Sequence, residues 1–131
     1  HRRLLSDLPW SIEHRDYLFV HAGLDRNMPF ETQVQILRQR DFSLSHPPWL
    51  YSKDFINAGP PMDSPVTVVM GHVPVSEVLF RNGLIATDTT GGLEGELSCV
   101  LLPENIVLQS GNLPPRPLSP PVKKKPWWQI W

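Results

Sequence analysis

The apolar residues of this chain gather into short runs, each closed by turn-forming residues, and the runs carry two different periods. Leu4, Leu5 and Leu8 before Pro9 read as the last turn of a helix. Tyr17-Leu18-Phe19-Val20 is too short for a helix, and His21-Ala22-Gly23 closes it, which predicts a buried strand. Phe30 to Leu37 makes about two helical turns, with Pro29 at the start and Phe30, Val34 and Leu37 on one side. Residues 46–65 hold five prolines and read as an extended connection across the surface.

Strand character returns with Val66-Thr67-Val68-Val69-Met70, closed by Gly71-His72. Val78 to Phe80 and Leu84 to Ala86 flank Arg81-Asn82-Gly83, and Asn-Gly between two apolar runs signals a hairpin. A strand from Glu96 to Leu102, a turn at Pro103-Glu104-Asn105 and a strand Ile106-Val107-Leu108 follow. Little helix is expected after residue 40, and the second half reads as a β-meander. Past Gly111 the pattern stops. A polyproline II stretch from Pro114 to Pro121 leads into Lys123-Lys124-Lys125 and then Trp127-Trp128-Gln129-Ile130-Trp131. The sequence thus divides into a domain over 1–110 and a Pro/Lys/Trp-rich flexible tail over 111–131.

Composition adds bounds to this outline. The 131 residues are 40% hydrophobic and 19% charged, which suits one modest domain with a real core. A net charge of −1 removes any global electrostatic argument for nucleic acid. Cys99, the single cysteine, cannot form a disulfide within the chain and is expected as a small core residue, which fits a reducing, cytoplasmic setting. No apolar run reaches the length of a membrane span. The chain opens on His1-Arg2-Arg3, and we expect it to begin inside a longer product.

Two strands end alike, in Phe19-Val20-His21-Ala22-Gly23 and in Val69-Met70-Gly71-His72-Val73-Pro74. Strand-end loops present side chains while the sheet holds their backbone, and imidazole suits Zn, Mn or Fe at neutral pH. Glycine beside each histidine lets the chain turn sharply. A histidine at a strand end is equally at home as a hydrogen-bonded loop residue, and a catalytic metal typically needs about three protein ligands. His14 and His46 lie among polar residues and are expected to be exposed.

The series Tyr17 to Asp25, Gly71-His72-Val73-Pro74, Ile85-Ala86-Thr87-Asp88-Thr89 and Gly92 to Leu97 resembles the calcineurin-like metallophosphoesterases of the bacterial Ser/Thr protein phosphatase type. The likeness covers roughly residues 5 to 105 and corresponds to the C-terminal half of that family's domain. It implies an α+β fold, a β-sandwich flanked by helices, of which this chain would hold one sheet. It also implies that His21 and His72 ligate one metal of a two-metal centre (Mn, Fe or Zn) that hydrolyses phosphate monoesters.

In Leu50-Tyr51-Ser52-Lys53-Asp54-Phe55, Lys53 stands where the family carries a phosphate-gripping arginine, and lysine loses the bidentate fork. Arg40 is the second phosphate-binding candidate. Val73 and Thr90 depart from the family's Thr and Gly, and Asp88 reads as a turn residue. The family's "G-D-x-H-G", "G-D-x-x-D-R-G" and "G-N-H-E" motifs, which supply the other ligands and the catalytic acid, do not occur in this sequence.

The resemblance therefore implies a phosphoprotein phosphatase whose present portion is inactive alone, acting on a phosphorylated protein or a small phosphoester. The alternative is a non-catalytic pseudophosphatase fragment that binds through its tail. There, Pro117-Leu118-Ser119-Pro120 has the spacing of an SH3 ligand, and the Lys and Trp clusters suit a partner domain or an anionic membrane surface.

Overall fold

A computed structural model describes residues 2–41, 43–92, 94–111 and 113–118. The chain runs α1 (Arg2–Asp7), β1 (Ser11–His14), β2 (Tyr17–Val20), α2 (Phe30–Gln39) and the single-turn helices α3 (Pro48–Tyr51) and α4 (Phe55–Ala58). It continues as β3 (Thr67–Met70), β4 (Leu79–Arg81), β5 (Leu84–Ala86), β6 (Ser98–Leu101), β7 (Ile106–Gln109) and β8 (Arg116–Pro117). The fold is mixed α+β, mostly strands in two sheets with few helices. Among the described residues no helix is long and apolar enough to cross a membrane.

The larger sheet has the order β1-β2-β3-β5-β4. β3 sits at its centre, parallel to β2 on one side and to β5 on the other, while β1/β2 and β4/β5 are antiparallel hairpins. An unbroken apolar run such as Val68-Val69-Met70 suits a strand covered on both faces. Leu18, Val20, Val68, Met70, Leu84 and Ala86 form one face, buried beneath Phe30, Val34 and Leu37 of α2 together with Trp49 and Phe55. Val69 and Ile85 form the other, with Tyr17, Phe19 and Phe80 at its margin, against Val100, Val107 and Leu118 of the smaller sheet, β6-β7-β8.

Much of the local pattern is realised. α2 starts after Pro29 and buries Phe30, Val34 and Leu37. The carboxylate of Asp63, from far along the chain, accepts the orphan N–H of Phe30 at 3.0 Å. Asn82 and Gly83 both take positive φ, 45° and 76°, as the tight β4/β5 turn requires.

Several expectations are corrected. The second half is not a meander. β3 pairs with β5 rather than with its successor β4, and the last three strands leave for another sheet. The chain accordingly contributes to two sheets, not one. The proline-rich stretch 46–65 does not lie extended across the surface, because Trp49 and Phe55 anchor it in the core at 1% and 0% exposure. Cys99 is exposed rather than internal. Successive β6 residues alternate, and it is Ser98 and Val100 that turn inward. The segment 113–118, assigned to the tail by composition, supplies β8 and buries Leu118. The lysine and tryptophan clusters lie outside the described residues. His14 and His46 are exposed, as expected.

Candidate metal centre

The two histidines meet because two strands run parallel and in register. Tyr17, Leu18 and Phe19 pair with Thr67, Val68 and Val69. The pairing continues past the strand ends, where Gly71 N–H donates to the carbonyl of His21 at 3.0 Å. His72 is one residue further on. Met70 pairs with Ala86 on the other side, so Thr87 and Asp88 leave the neighbouring strand at the same edge. The C-terminal ends of adjacent parallel strands are where open α/β sheets place ligands.

The loop at His72 is unusually tight. Val73 N–H donates to the carbonyl of Gly71 at 2.7 Å, and His72 between them has a φ of 65°. This is a γ-turn in its rarer, left-handed form, which costs a side-chain-bearing residue free energy. The conformational freedom expected of Gly71 is therefore taken by the histidine itself. A Cβ at position 71 would meet nothing closer than 3.8 Å. The true close approach lies on the other strand. A Cβ on Gly23 would fall 2.5 Å from the ring of Phe55, and its φ is 147°. Only glycine lets α4 press on the loop that follows His21.

His72 is held from the β5 side as well. Thr87 donates to the carbonyl of Met70 through both its N–H (2.9 Å) and its hydroxyl (3.2 Å), and Val75 N–H donates to the carbonyl of Asp88 at 2.9 Å. The carboxylate of Asp88 accepts Gly91 N–H at 2.9 Å, which makes it a turn residue.

Nε2 of His21 lies 3.1 Å from Nδ1 of His72, with ring centroids 4.8 Å apart and planes inclined at 59°. His21 is exposed and His72 half-buried, so solvent reaches the pair. Two lone pairs facing each other at this distance repel, so the contact needs a proton or a cation between the rings. Two imidazole nitrogens each about 2.0–2.1 Å from one ion lie about 2.8–3.0 Å apart in cis-octahedral geometry and about 3.3–3.4 Å apart in tetrahedral geometry. The observed separation falls between these values, so the pair fits two adjacent positions on one ion. It does not complete a site. Among the described residues no group of three or more His, Cys, Asp or Glu side chains converges.

The phosphate-binding candidates are not drawn to this pair. Arg40 ends α2 at a φ of 53°, where its N–H bonds Leu37 and the next N–H, of Asp41, bonds Ile36. That is a Schellman closure with arginine where glycine is usual. Its guanidinium donates to the carbonyl of Ser6 at 2.6 Å. Lys53 is exposed between α3 and α4 and makes no hydrogen bond or ion pair among the described residues.

Sequence reasoning missed Gln33, which is fully buried. Its amide nitrogen donates to the carbonyls of Asp25 and Met28, both at 2.8 Å, and its oxygen accepts Asp25 N–H at 2.7 Å. The signal was present, since Gln33 lies on the Phe30, Val34, Leu37 face of α2, where a polar residue needs a reason. No family model matches the chain, and no curated protein is similar to it at a significant level.

Proposed function

We propose that this chain supplies the C-terminal half of a two-metal phosphoesterase centre of the Ser/Thr protein phosphatase type, with His21 and His72 holding one ion. The observation that carries the reading is the 3.1 Å approach of Nε2 of His21 to Nδ1 of His72 at the ends of adjacent parallel strands. It is supported by the motif order from Tyr17 to Leu97 and by the left-handed turn that brings His72 toward its partner. A divalent ion held there supplies Lewis-acid polarisation of a phosphoryl oxygen and an activated water at neutral pH.

The histidines bind and orient. An imidazole whose nitrogen holds an ion does not deliver a proton through that atom, so protonation of the leaving oxygen falls to a group outside this pair. The resemblance assigns the remaining ligands to motifs that do not occur in this sequence. The substrate class is a phosphate monoester, carried by a phosphorylated protein or a small phosphoester, and a single cysteine agrees with action in the cytoplasm.

The test is titration of the full chain with Mn(II) or Co(II), together with Mn(II)-dependent hydrolysis of p-nitrophenyl phosphate. We expect one ion per chain and no turnover above buffer. Affinity should fall in His21→Ala and in His72→Ala by more than the roughly 10-fold seen when a ligand merely loses its supporting hydrogen bond. Binding that ignores both substitutions would sink the assignment. Robust turnover abolished by His72→Ala would overturn the inactivity expected of this portion.

A further inference from the structure

The smaller sheet leaves one side of its first strand open. β6 pairs with β7 alone, so among the described residues its outer edge has no strand partner. A cavity of about 560 Å³ lies there, between β6 and the β1/β2 hairpin. Its apolar walls are Tyr17 and Phe19 of β2 on one side and Val100, Leu101, Leu102 and Pro103 on the other. The rings of Tyr17 and Phe19 have centroids 6.3 Å apart, and neither residue is fully buried. Leu101 is 40% exposed, and Ile12, the cross-strand partner of Phe19, is 57% exposed. Large apolar side chains gathered at one open site mark a surface that something covers.

The polar lining is confined to residues 14–16 at the hairpin turn, where Arg15 and Asp16 balance in charge. The cavity therefore suits an apolar, aromatic occupant better than an ion. Its volume falls in the range of about 300–1,000 Å³ in which pockets enclose organic groups. The unpaired backbone groups along β6 favour an occupant that keeps an N–H donor, and an indole has one.

The same chain carries such an occupant. Three of its five tryptophans fall in Trp127-Trp128-Gln129-Ile130-Trp131, a run that the metal centre leaves unused. The described residues also end close to the cavity. Leu118 N–H donates to the carbonyl of Asn105 at 2.7 Å, and Asn105 is two residues beyond Pro103 on the cavity wall. Only β7 separates β8 from β6, which is about 10 Å at two strand spacings. Residues 119–126 make a tether of eight residues, whose extended reach of about 26 Å exceeds that distance.

We propose that the run from Trp127 to Trp131 docks in this cavity of its own chain, seating indole rings on Tyr17, Phe19 and Leu102. A tether this short gives an effective concentration in the millimolar range, so contacts too weak to join separate molecules suffice. The cavity opens at the start of β2, and His21 stands beyond the other end of that strand. Docking therefore does not depend on a bound ion.

The experiment compares NMR spectra of the ¹⁵N-labelled full chain with those of a full-length variant carrying Trp127→Ala, Trp128→Ala and Trp131→Ala. Amide shifts should differ at residues 14–19 and 100–102, and the differences should not change on dilution. Leu101→Asp tests the same contact from the other side, at a position exposed enough to tolerate it. It should lower the docked population about 10-fold, since a leucine contact is lost and a carboxylate opposes burial. The three tail indole N–H signals should then move toward those of a free peptide of residues 119–131. Leu50→Asp, at an equally exposed leucine on α3 away from the cavity, should leave them in place. Three outcomes would overturn the proposal. Shifts that revert on dilution would assign the cavity to the tail of a second copy. Differences centred elsewhere would place the tail on another surface. Indole signals unmoved by Leu101→Asp would leave the cavity to a separate partner.

Discussion

Nε2 of His21 approaches Nδ1 of His72 to 3.1 Å, and the second of these residues reaches its position with a backbone φ of 65°. A side-chain-bearing residue held in such a conformation costs roughly 1–3 kcal/mol. Glycine at position 72 removes that strain but loosens the unfolded chain by about 0.5–1 kcal/mol. The balance predicts that His72→Gly is more stable than His72→Ala by about 1 kcal/mol, because both lack the imidazole and only alanine keeps the strain. Urea unfolding of the two variants measures the difference. An alanine variant at least as stable as the glycine one would mean that the turn at His72 stores no strain.

Gln33 is the most consequential polar residue in the core, because three hydrogen bonds from its amide hold the loop that carries Asp25 and Arg26. Gln33→Leu keeps the volume and strands the N–H of Asp25 and the carbonyl of Met28, while the Asp25 carbonyl keeps the N–H of Met28 at 3.3 Å. With about 1–3 kcal/mol for each buried group left unsatisfied and partial access of water to the loop, a loss of about 2–4 kcal/mol is expected. Hydrogen exchange at Asp25, whose N–H bonds Gln33 directly, should accelerate more than exchange in β3. Uniform acceleration would show that the glutamine stabilises the whole domain without fixing this loop in particular.

What could be read in advance depended on how local each determinant is. β2, β3, the Asn82-Gly83 hairpin and the apolar face of α2 rest on patterns within a few residues, and each is found within a residue or two of its expected place. The pairing of β3 with β5 is different. Every strand in this region is apolar enough to occupy the centre, and only the packing of both faces at once selects the order. β1 was invisible because it is an edge strand whose residues after Ser11 are exposed, so it carries no apolar alternation. β8 was hidden by prolines, which are tolerated at a sheet edge where no further partner is needed. At β6, Ser-Cys-Val-Leu does not reveal which face points inward. The hydroxyl of Ser98 settles it by bonding Thr89 at 2.7 Å and Gln109 at 3.1 Å. For the site, the two histidines were legible as a pair, whereas Gly71 drew attention away from the residue that bends.

Among the described residues, the one ionisable side chain with a clear downward shift lies away from the site. Hydrogen bonds from Arg38 to Glu13, at 2.7 and 2.6 Å, hold the Glu13 carboxyl below its ordinary range, against a small opposing effect of burial. A depressed folded-state value means that the pair's contribution is present above the unfolded carboxylate pKa of about 4.3 and is lost as pH falls through the lower folded value. Both side chains are largely exposed, so the effect on stability is small and weakens with salt. A carboxyl-carbon NMR titration should place the Glu13 midpoint below the ordinary glutamate value of about 4.3, and Arg38→Gln should raise it. A midpoint unmoved by that substitution would assign the shift to another cause.

Leu118 carries the folded domain past the boundary expected at residue 110. Its N–H donates to the carbonyl of Asn105 at 2.7 Å, and its side chain, 7% exposed, packs in the cluster formed by Val69, Val78, Ile85 and Val107. Leu113, five residues earlier, is 57% exposed. If β8 belongs to the smaller sheet in solution, truncating the two leucines must have unequal consequences. Leu118→Ala should cost about 2–3 kcal/mol, toward the lower end for a leucine near the margin of a cluster. Leu113→Ala should stay within about 0.5 kcal/mol, as surface substitutions do. Chemical denaturation of the full-length variants reads both values. Equal, negligible losses would return the domain boundary to residue 110 and leave β7 as the edge of its sheet, whereas the predicted inequality makes residues 116–118 part of the fold.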